Sequence, residues 1–197
     1  MVRFNIPGKF SVSNALATIG ICYLAGLDLD TILHGLKSIK GVPGRIEKVP
    51  NNNGILAVVD YAHSPDSLEN IIKAMREISK GKIITVFGCG GNRDRTKRPI
   101  MGEIAGSLSD FVVITSDNPR NENPLTIIDE IELGILKTNC AYLKVEDRKK
   151  AIFTALDKVS SGDVVIIAGK GHETYQILGD TTIHFDDKEV VLEYFNR

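Results

Sequence analysis

The sequence lacks a cysteine motif, a long apolar run and an excess of either charge. Its three cysteines, Cys22, Cys89 and Cys140, are widely spaced and form no CxxC pair. That spacing favours reduced thiols in a cytoplasm over a disulfide framework or a zinc site. No apolar stretch approaches the roughly 20 residues that span a bilayer, and the N-terminus carries no signal-peptide pattern. A formal net charge of −1 gives no electrostatic reason to expect nucleic acid or a membrane as partner.

Several catalytic signatures are also missing. The chain contains no GxxxxGK[ST] and no HExxH, and its one glycine-rich loop has Arg93 where the dinucleotide fingerprint has glycine. No Ser-His-Asp order and no metal-ligand cluster is recognisable. Cys89 lies in the glycine loop without a candidate His or Asn partner, so we do not expect it to be a nucleophile. We therefore predict no catalytic residue and no metal ligand in this chain.

What is present is an alternation of short apolar strands and amphipathic helices from Gly54 onward. The predicted strands are Ile55–Val59, Ile83–Phe87, Phe111–Thr115, Tyr142–Val145 and Val164–Ile167. Ser64-Pro65, Asn123-Pro124 and Asp147 are typical of helix starts. This βαβα order predicts an α/β fold with a mostly parallel sheet and helices on both faces.

The two ends of the chain depart from this pattern. Residues 1–45 predict two helices, Ala15–Ala25 and Asp30–Ile39, followed by the break Gly41–Arg45. Two helices cannot bury an apolar face by themselves, so this part is either the tail of another domain or a helical hairpin docked on the next one. Near the C-terminus, residues 175–185 predict a hairpin around Gly179-Asp180, and a short helix follows from Lys188.

The stretch Lys82–Pro99 combines a buried strand, a glycine turn and a cluster of cations. Four cations oppose a single nearby carboxylate, Asp94, and Pro99 stands where a helix would have its first residue. Glycine-rich turns before helices bind anions through backbone N–H groups, and guanidinium groups bind carboxylates or phosphates. The stretch predicts an anion site, with a solvated charged loop as the alternative.

Polar loops follow four of the predicted strands, at residues 60–65, 88–98, 116–120 and 168–173. The carboxyl ends of parallel strands meet at one edge of a sheet, where ligands bind. The cations suit carboxylates and Glu173 suits an amine, a combination that favours an amino acid over a nucleotide alone. Asp60 and His63 could act as acid and base, bind a ribose and a base, or only stabilise their turn. Asn118 could bind a ligand or form an ordinary Asx turn.

The sequences DYAHSP at 60–65, FGCGGNRDRTKRP at 87–99, DNPR at 117–120 and AGKGHE at 168–173 resemble the Mur ligases of bacterial cell-wall synthesis. The likeness is greatest to the branch that adds meso-diaminopimelate. It implies that residues 1–45 are the C-terminal helices of a central ATPase domain. Residues 46–197 would be a Rossmann-like C-terminal domain that binds the incoming amino acid.

The resemblance also implies roles for individual residues. Asn118, Pro119 and Arg120 would hold the distal end of meso-diaminopimelate, and Arg93, Gly169 and Glu173 would complete its pocket. Asn14, Arg45, Asp60 and His63 would face ATP. One departure is Ser11, which stands where the family usually has asparagine.

The activity implied for the family is an ATP-dependent peptide-bond-forming ligase of peptidoglycan synthesis, cell shape and cell division. An acyl-phosphate made on UDP-N-acetylmuramoyl-L-alanyl-D-glutamate would be attacked by the diaminopimelate amine. ATP and Mg²⁺ would be cofactors, with the metal ligands in the central domain, and these 197 residues alone would bind weakly and turn over nothing. The alternatives are a ligase similar to folylpolyglutamate synthase and a non-catalytic amino-acid-binding module.

Overall fold

The computed structural model describes residues 9–39 and 41–197, which fall into two compact units, Met1–Val42 and Pro43–Arg197. The first unit contains helix α1, Lys9–Leu24, and helix α2, Leu29–Ser38. Helix α1 begins six residues before the predicted Ala15, and Asp28 caps α2 by accepting a hydrogen bond from the backbone N–H of Thr31. Within the described part of the chain, no helix is long and apolar enough to cross a membrane.

The second unit contains eight strands and five helices among its described residues. The strands are β1 Glu47–Val49, β2 Leu56–Asp60, β3 Ile83–Phe87, β4 Phe111–Ile114, β5 Ala141–Lys144, β6 Val164–Ala168, β7 Tyr175–Leu178 and β8 Thr181–His184. The helices are α3 Pro65–Ile78, α4 Lys97–Leu108, α5 Pro124–Ile135, α6 Arg148–Leu156 and α7 Asp187–Phe195.

Six strands form one sheet in the order β1-β2-β6-β3-β4-β5, and β7 pairs with β8 as a separate antiparallel hairpin. Every pairing in the large sheet is parallel except that of β1 with β2. The predicted α/β class, the mostly parallel sheet and the hairpin are confirmed. Strand β1 was not predicted because it has only three residues, of which only Val49 is buried.

Apolar cores cover both faces of the sheet. Buried residues of α3, α4 and α5 pack on one face, and those of α6 and α7 pack on the other. Strands β3 and β6 are buried along their whole length, because strands covered on both faces have no solvent side. The sheet is thereby fixed between two helical layers, and the loops at its carboxyl edge are anchored at both ends.

The predicted helix starts are confirmed at three places and corrected at one. Ser64 forms a capping box with Ser67 before Pro65, and Asn123 and Asp147 each accept a backbone N–H at the start of their helices. Helix α4, however, begins at Lys97, so Pro99 is its third residue and not its first. Proline is tolerated there because the first-turn N–H groups have no partner within the helix.

Candidate ligand-binding pocket

The four polar loops meet at the carboxyl edge of the sheet and line a pocket of about 540 Å³. The pocket is lined by Tyr61, His63, Gly88, Cys89, Gly90, Arg93, Asp94, Lys97, Asp117, Asn118, Arg120, Gly169, Glu173 and Tyr175. Tyr175 comes from the hairpin, which the sequence did not associate with the site. The lining carries both cations and carboxylates, as the loop sequences led us to expect.

Two of the four cations predicted for the glycine loop, Arg95 and Arg98, pair with carboxylates of the protein. The buried Arg98 guanidinium donates to Glu122 at 2.9 Å and to Glu130 at 2.7 Å. Arg95 also pairs with Glu130. The sequence of the loop shows only Asp94 beside these cations, because Glu122 and Glu130 come from a later segment of the chain and only the fold brings them here.

The two remaining cations of this loop, Arg93 and Lys97, line the pocket. Lys97 Nζ donates to the His63 carbonyl at 2.7 Å, which joins the glycine loop to the loop after β2. Within the described residues no hydrogen bond or ion pair occupies the exposed Arg93 guanidinium. Of the predicted anion-binding cations, Arg93 is therefore the one most available to a ligand.

The hairpin holds Arg120 in an unusual backbone conformation, with φ of +52°. Its N–H donates to the Ile177 carbonyl at 3.1 Å, and its carbonyl accepts from the Gly179 N–H at 2.8 Å. Its guanidinium lines the pocket and donates to the Gly91 carbonyl at 2.8 Å. Arg120 thus connects its own loop with the hairpin and the glycine loop. These contacts hold its left-handed backbone, a conformation that a non-glycine residue keeps only where the surrounding structure requires it.

Asn118 is buried, and both ends of its side-chain amide bond to protein groups. Its Nδ2 donates to Glu173 Oε2 at 2.9 Å, and its Oδ1 accepts from the Ile177 N–H at 3.0 Å. Pro119 is also buried, but it does not line the pocket. In these positions Asn118 orients Glu173, and Pro119 shapes the loop between Asn118 and Arg120.

A second buried arginine, which sequence reasoning missed, ties the ends of β4 and β6 together. Arg148 binds both carboxylate oxygens of Asp187 at 2.7 Å. It also donates to the carbonyls of Ser116 at 3.2 Å and Ala168 at 3.0 Å. Burial raises the pKa of the neighbouring Asp117, although the charges of Arg148 and Lys170 oppose that shift. The only sequence signal was a cation in the first turn of a helix, which normally disfavours cations.

The predicted ATP-facing residues occupy different surroundings. Asp60 lies outside the pocket lining, and its two oxygens accept the N–H groups of Ile46 and Ala62, both at 2.8 Å. Burial raises its pKa despite these bonds. Ile46 has φ of +44°, which is rare for a β-branched residue. Asp60 therefore holds this turn in place, the structural role that its sequence position left open.

The turn that Asp60 holds places the Arg45 guanidinium 4.8 Å from the centre of the Tyr61 ring. The exposed His63 ring lies 4.6 Å from the same tyrosine. Together these three residues form a cationic and aromatic surface. Asn14 is exposed on α1, in the first unit.

The buried environment of Cys89 agrees with the prediction that this residue is not a nucleophile. Burial raises its pKa to about 12, and its Sγ contacts Met101 Sδ at 3.7 Å. A thiol in that environment stays protonated at neutral pH, and only the thiolate is strongly nucleophilic. In the described ranges, no group of three or more His, Cys, Asp or Glu side chains could hold a metal ion.

Comparison with known proteins finds similarity between this chain and one family. The sequence matches the family described as "Mur ligase, glutamate ligase domain" over residues 44–171. A UDP-N-acetylmuramoyl-L-alanyl-D-glutamate–2,6-diaminopimelate ligase of Clostridium acetobutylicum is 54% identical over 198 residues, covering 100% of this chain and 41% of that protein. The ligase of the same name from Clostridium botulinum is 52% identical, covering 98% and 40%.

Solved structures agree with the sequence matches. A solved ligase of the same name superposes with a TM-score of 0.77 at 36% identity, covering 99% of this chain and 40% of its own. A bifunctional folylpolyglutamate synthase/dihydrofolate synthase from Yersinia pestis has a TM-score of 0.67 at 19% identity, covering 86% and 38%, a likeness of fold alone. The chain thus spans about 40% of the length of the curated relatives it matches.

Proposed function

Since this chain belongs to the Mur ligase family, we propose that it is the amino-acid-binding part of an ATP-dependent ligase of peptidoglycan synthesis. The amino acid would be meso-diaminopimelate, and the acceptor would be UDP-N-acetylmuramoyl-L-alanyl-D-glutamate. Residues 46–197 would bind and orient the amino acid, and residues 1–45 would belong to the ATPase domain. The work of such a domain is positioning, which lowers a barrier without any general base in this chain.

The observation that carries this proposal is the pairing of available groups in one pocket. Arg93 has no partner within the described residues. The hydrogen bonds that these residues make to the Glu173 carboxylate all go to its Oε2 atom. The pocket therefore offers a guanidinium to a carboxylate and a carboxylate oxygen to an ammonium. Meso-diaminopimelate carries both groups at each end, whereas lysine lacks the second carboxylate. Gly169 borders the same pocket, and the Arg120 guanidinium adds a second cation.

The ATP-facing roles of Asn14, Arg45, Asp60 and His63 are part of the same proposal. Arg45, Tyr61 and His63 present a cation and aromatic faces, which suit a phosphate and a base. Asp60 would act by holding the turn that carries Arg45. ATP, when bound, would supply the phosphoryl group that activates the acceptor carboxylate. Magnesium would be held by residues of the ATPase domain.

Isothermal titration calorimetry tests the proposal with meso-diaminopimelate, L-lysine and L-glutamate as ligands. We expect meso-diaminopimelate to bind at least about tenfold more tightly than lysine, because a charge-assisted bond to a carboxylate contributes about 1.5–3 kcal/mol. Arg93→Gln and Arg120→Ala should reduce that preference. Arg76→Gln, which removes a surface guanidinium paired with Asp110, is the control and should leave it unchanged.

The ligand ranking also separates the rival functions. Preferential binding of L-glutamate would favour a ligase similar to folylpolyglutamate synthase. Lysine binding as tight as that of meso-diaminopimelate would contradict the proposed specificity. Failure of all three amino acids to bind would contradict the assignment of an amino-acid pocket.

A further inference from the structure

We propose that Lys170 is a positioning residue that fixes the Glu173 carboxylate for recognition of the ligand's amino group. The inference rests on the proposed function and deepens it. Lys170 is fully buried and does not line the pocket, so it acts on a ligand only through its neighbours. The contacts of its ammonium group are with Asn118, Glu173 and the Tyr175 ring.

The backbone on either side of Lys170 explains how a lysine comes to be buried here. Gly169 has φ of +120° and Gly171 has φ of +55°, a region that disfavours residues with a Cβ. A Cβ on Gly169 would lie 2.4 Å from Asp117 Oδ2, and one on Gly171 would lie 2.7 Å from the Tyr61 Cβ. The two glycines let the chain pass tightly between these neighbours while the lysine between them is enclosed.

Lys170 and Asn118 converge on one oxygen of Glu173. Lys170 Nζ lies 3.3 Å from Glu173 Oε2, and Asn118 Nδ2 lies 2.9 Å from the same atom. Among the described residues, no hydrogen bond uses Oε1. One carboxylate oxygen is therefore anchored to the protein and the other is available to the pocket.

The same ammonium group also fixes the orientation of the Asn118 amide. Asn118 Oδ1 accepts from the Ile177 N–H at 3.0 Å and lies 3.4 Å from Lys170 Nζ. Turning the amide over would bring its NH₂ group against two donors. Lys170 thereby acts on Glu173 twice, directly and through Asn118.

The charges of this cluster suit an incoming ammonium. Asp117 and Glu173 are two carboxylates near the single ammonium of Lys170, while Arg148 is balanced by its salt bridge with Asp187. When both carboxylates are ionised, Asp117, Glu173 and Lys170 together carry one net negative charge, apart from the Arg93 and Arg120 guanidinium groups elsewhere in the pocket lining. The ligand's amino group would supply the missing positive charge, and Lys170 limits the repulsion between the carboxylates until it arrives.

A ligand series tests this role by calorimetry on the whole 197-residue chain. The ligands are meso-diaminopimelate and the two enantiomers of 2-aminopimelate, each of which lacks one of the two amino groups. Lys170→Met should weaken meso-diaminopimelate and one enantiomer about tenfold, the size expected for a bond to a charged group. For the enantiomer that lacks the amine recognised by Glu173, the loss should be less than about twofold.

Lys73→Met is the matched control, because Lys73 is exposed and its one ion pair among the described residues is with Glu69 on the surface of α3. It should leave all three affinities unchanged. If Lys170→Met lacks the wild-type far-UV spectrum, the same series on Lys170→Gln decides; because glutamine removes the charge but keeps an N–H donor, its loss should be smaller and should still spare the enantiomer without the amine recognised by Glu173. Equal losses for all three ligands would overturn the positioning role, because a purely structural defect does not distinguish the amines. A wild-type chain that binds none of them would instead overturn the proposed function.

Discussion

Arg98 and Arg148 are both fully buried, and each fixes a different part of the pocket. Arg98, in the first turn of α4, binds Glu122 and Glu130 and donates to the Gly90 carbonyl at 3.3 Å. It thereby fixes the glycine loop. Arg148, in the first turn of α6, binds Asp187 and the carbonyls at the ends of β4 and β6.

The two arginines differ in the exposure of their partner carboxylates and in the other hydrogen bonds that those carboxylates make. The side chains of Glu122 and Glu130 are 23% and 21% exposed, whereas that of Asp187 is fully buried. Glu122 also accepts the Asn92 N–H, and Glu130 also binds Arg95. Arg98 Nε, moreover, has no hydrogen-bond partner in the described part of the chain. Arg148 is therefore chiefly a determinant of stability, while Arg98 is chiefly a determinant of loop geometry.

The largest effect should come from Arg148→Met. It leaves the Asp187 carboxylate buried without a counter-charge, so we expect a loss of about 3–5 kcal/mol in the free energy of unfolding, measured by urea denaturation. The double variant Arg148→Met/Asp187→Leu should recover much of that loss, because no buried charge remains. A loss below about 1 kcal/mol for the single variant would contradict the role given to this pair.

Arg98→Met should have a smaller effect on stability, about 1–2 kcal/mol, because water can reach both glutamates and each keeps another partner. The control Arg76→Met, which removes an exposed ion pair with Asp110, should stay within about 0.5 kcal/mol. If Arg98→Met destabilised the chain as much as Arg148→Met, the contrast between the two clusters would be wrong.

The free energy of unfolding should depend on pH through Glu122, a partner of Arg98. Hydrogen bonds from Arg98 lower the pKa of Glu122 to about 2, from its usual value of 4.5. A depressed carboxylate pKa stabilises the folded state above pH 4.5, and that contribution is lost as the pH falls from 4.5 towards 2. Glu122→Gln should flatten the acid side of the urea-midpoint curve in that window. An unchanged acid slope would show that Glu122 does not carry it.

The smallest effect on stability should come from Arg93→Gln, because this exposed arginine lines the pocket and has no partner among residues 9–39 and 41–197. We expect the unfolding free energy to change by less than about 0.5 kcal/mol. Binding of meso-diaminopimelate should nevertheless weaken, as measured by calorimetry. A variant that loses stability and binding together would make Arg93 a structural residue like Arg98.

Features set by local sequence were predictable, and features set by distant partners were not. The strand Ile83–Phe87, the Ser64-Pro65 cap and the hairpin turn at Gly179-Asp180 depend on neighbouring residues, and the structure confirms them. The pairing of Arg98 with Glu130 joins residues 32 positions apart. No periodicity or cap signal encodes such a pair.

The resemblance to Mur ligases is confirmed at the level of the family. Of the site residues it implied, Arg93, Asn118, Arg120, Gly169, Glu173 and His63 line one pocket, while their ligand contacts remain predictions. The internal role of Asn118 was not predictable, because the backbone N–H of Ile177 that defines it comes from another segment. For Asp60, stabilisation of its own turn was one of the roles left open, but its bond to the Ile46 N–H was not predictable. Motifs located the pocket, but only the fold showed which of its side chains are already engaged.

The most direct test of the central claim is a crystal structure of this chain grown with saturating meso-diaminopimelate. We predict electron density for the ligand in the pocket, with one of its ammonium groups bonded to Glu173 Oε1 and one of its carboxylates bonded to the Arg93 guanidinium. Ligand bound outside the pocket, or in the pocket without contact to Arg93 and Glu173, would contradict the account.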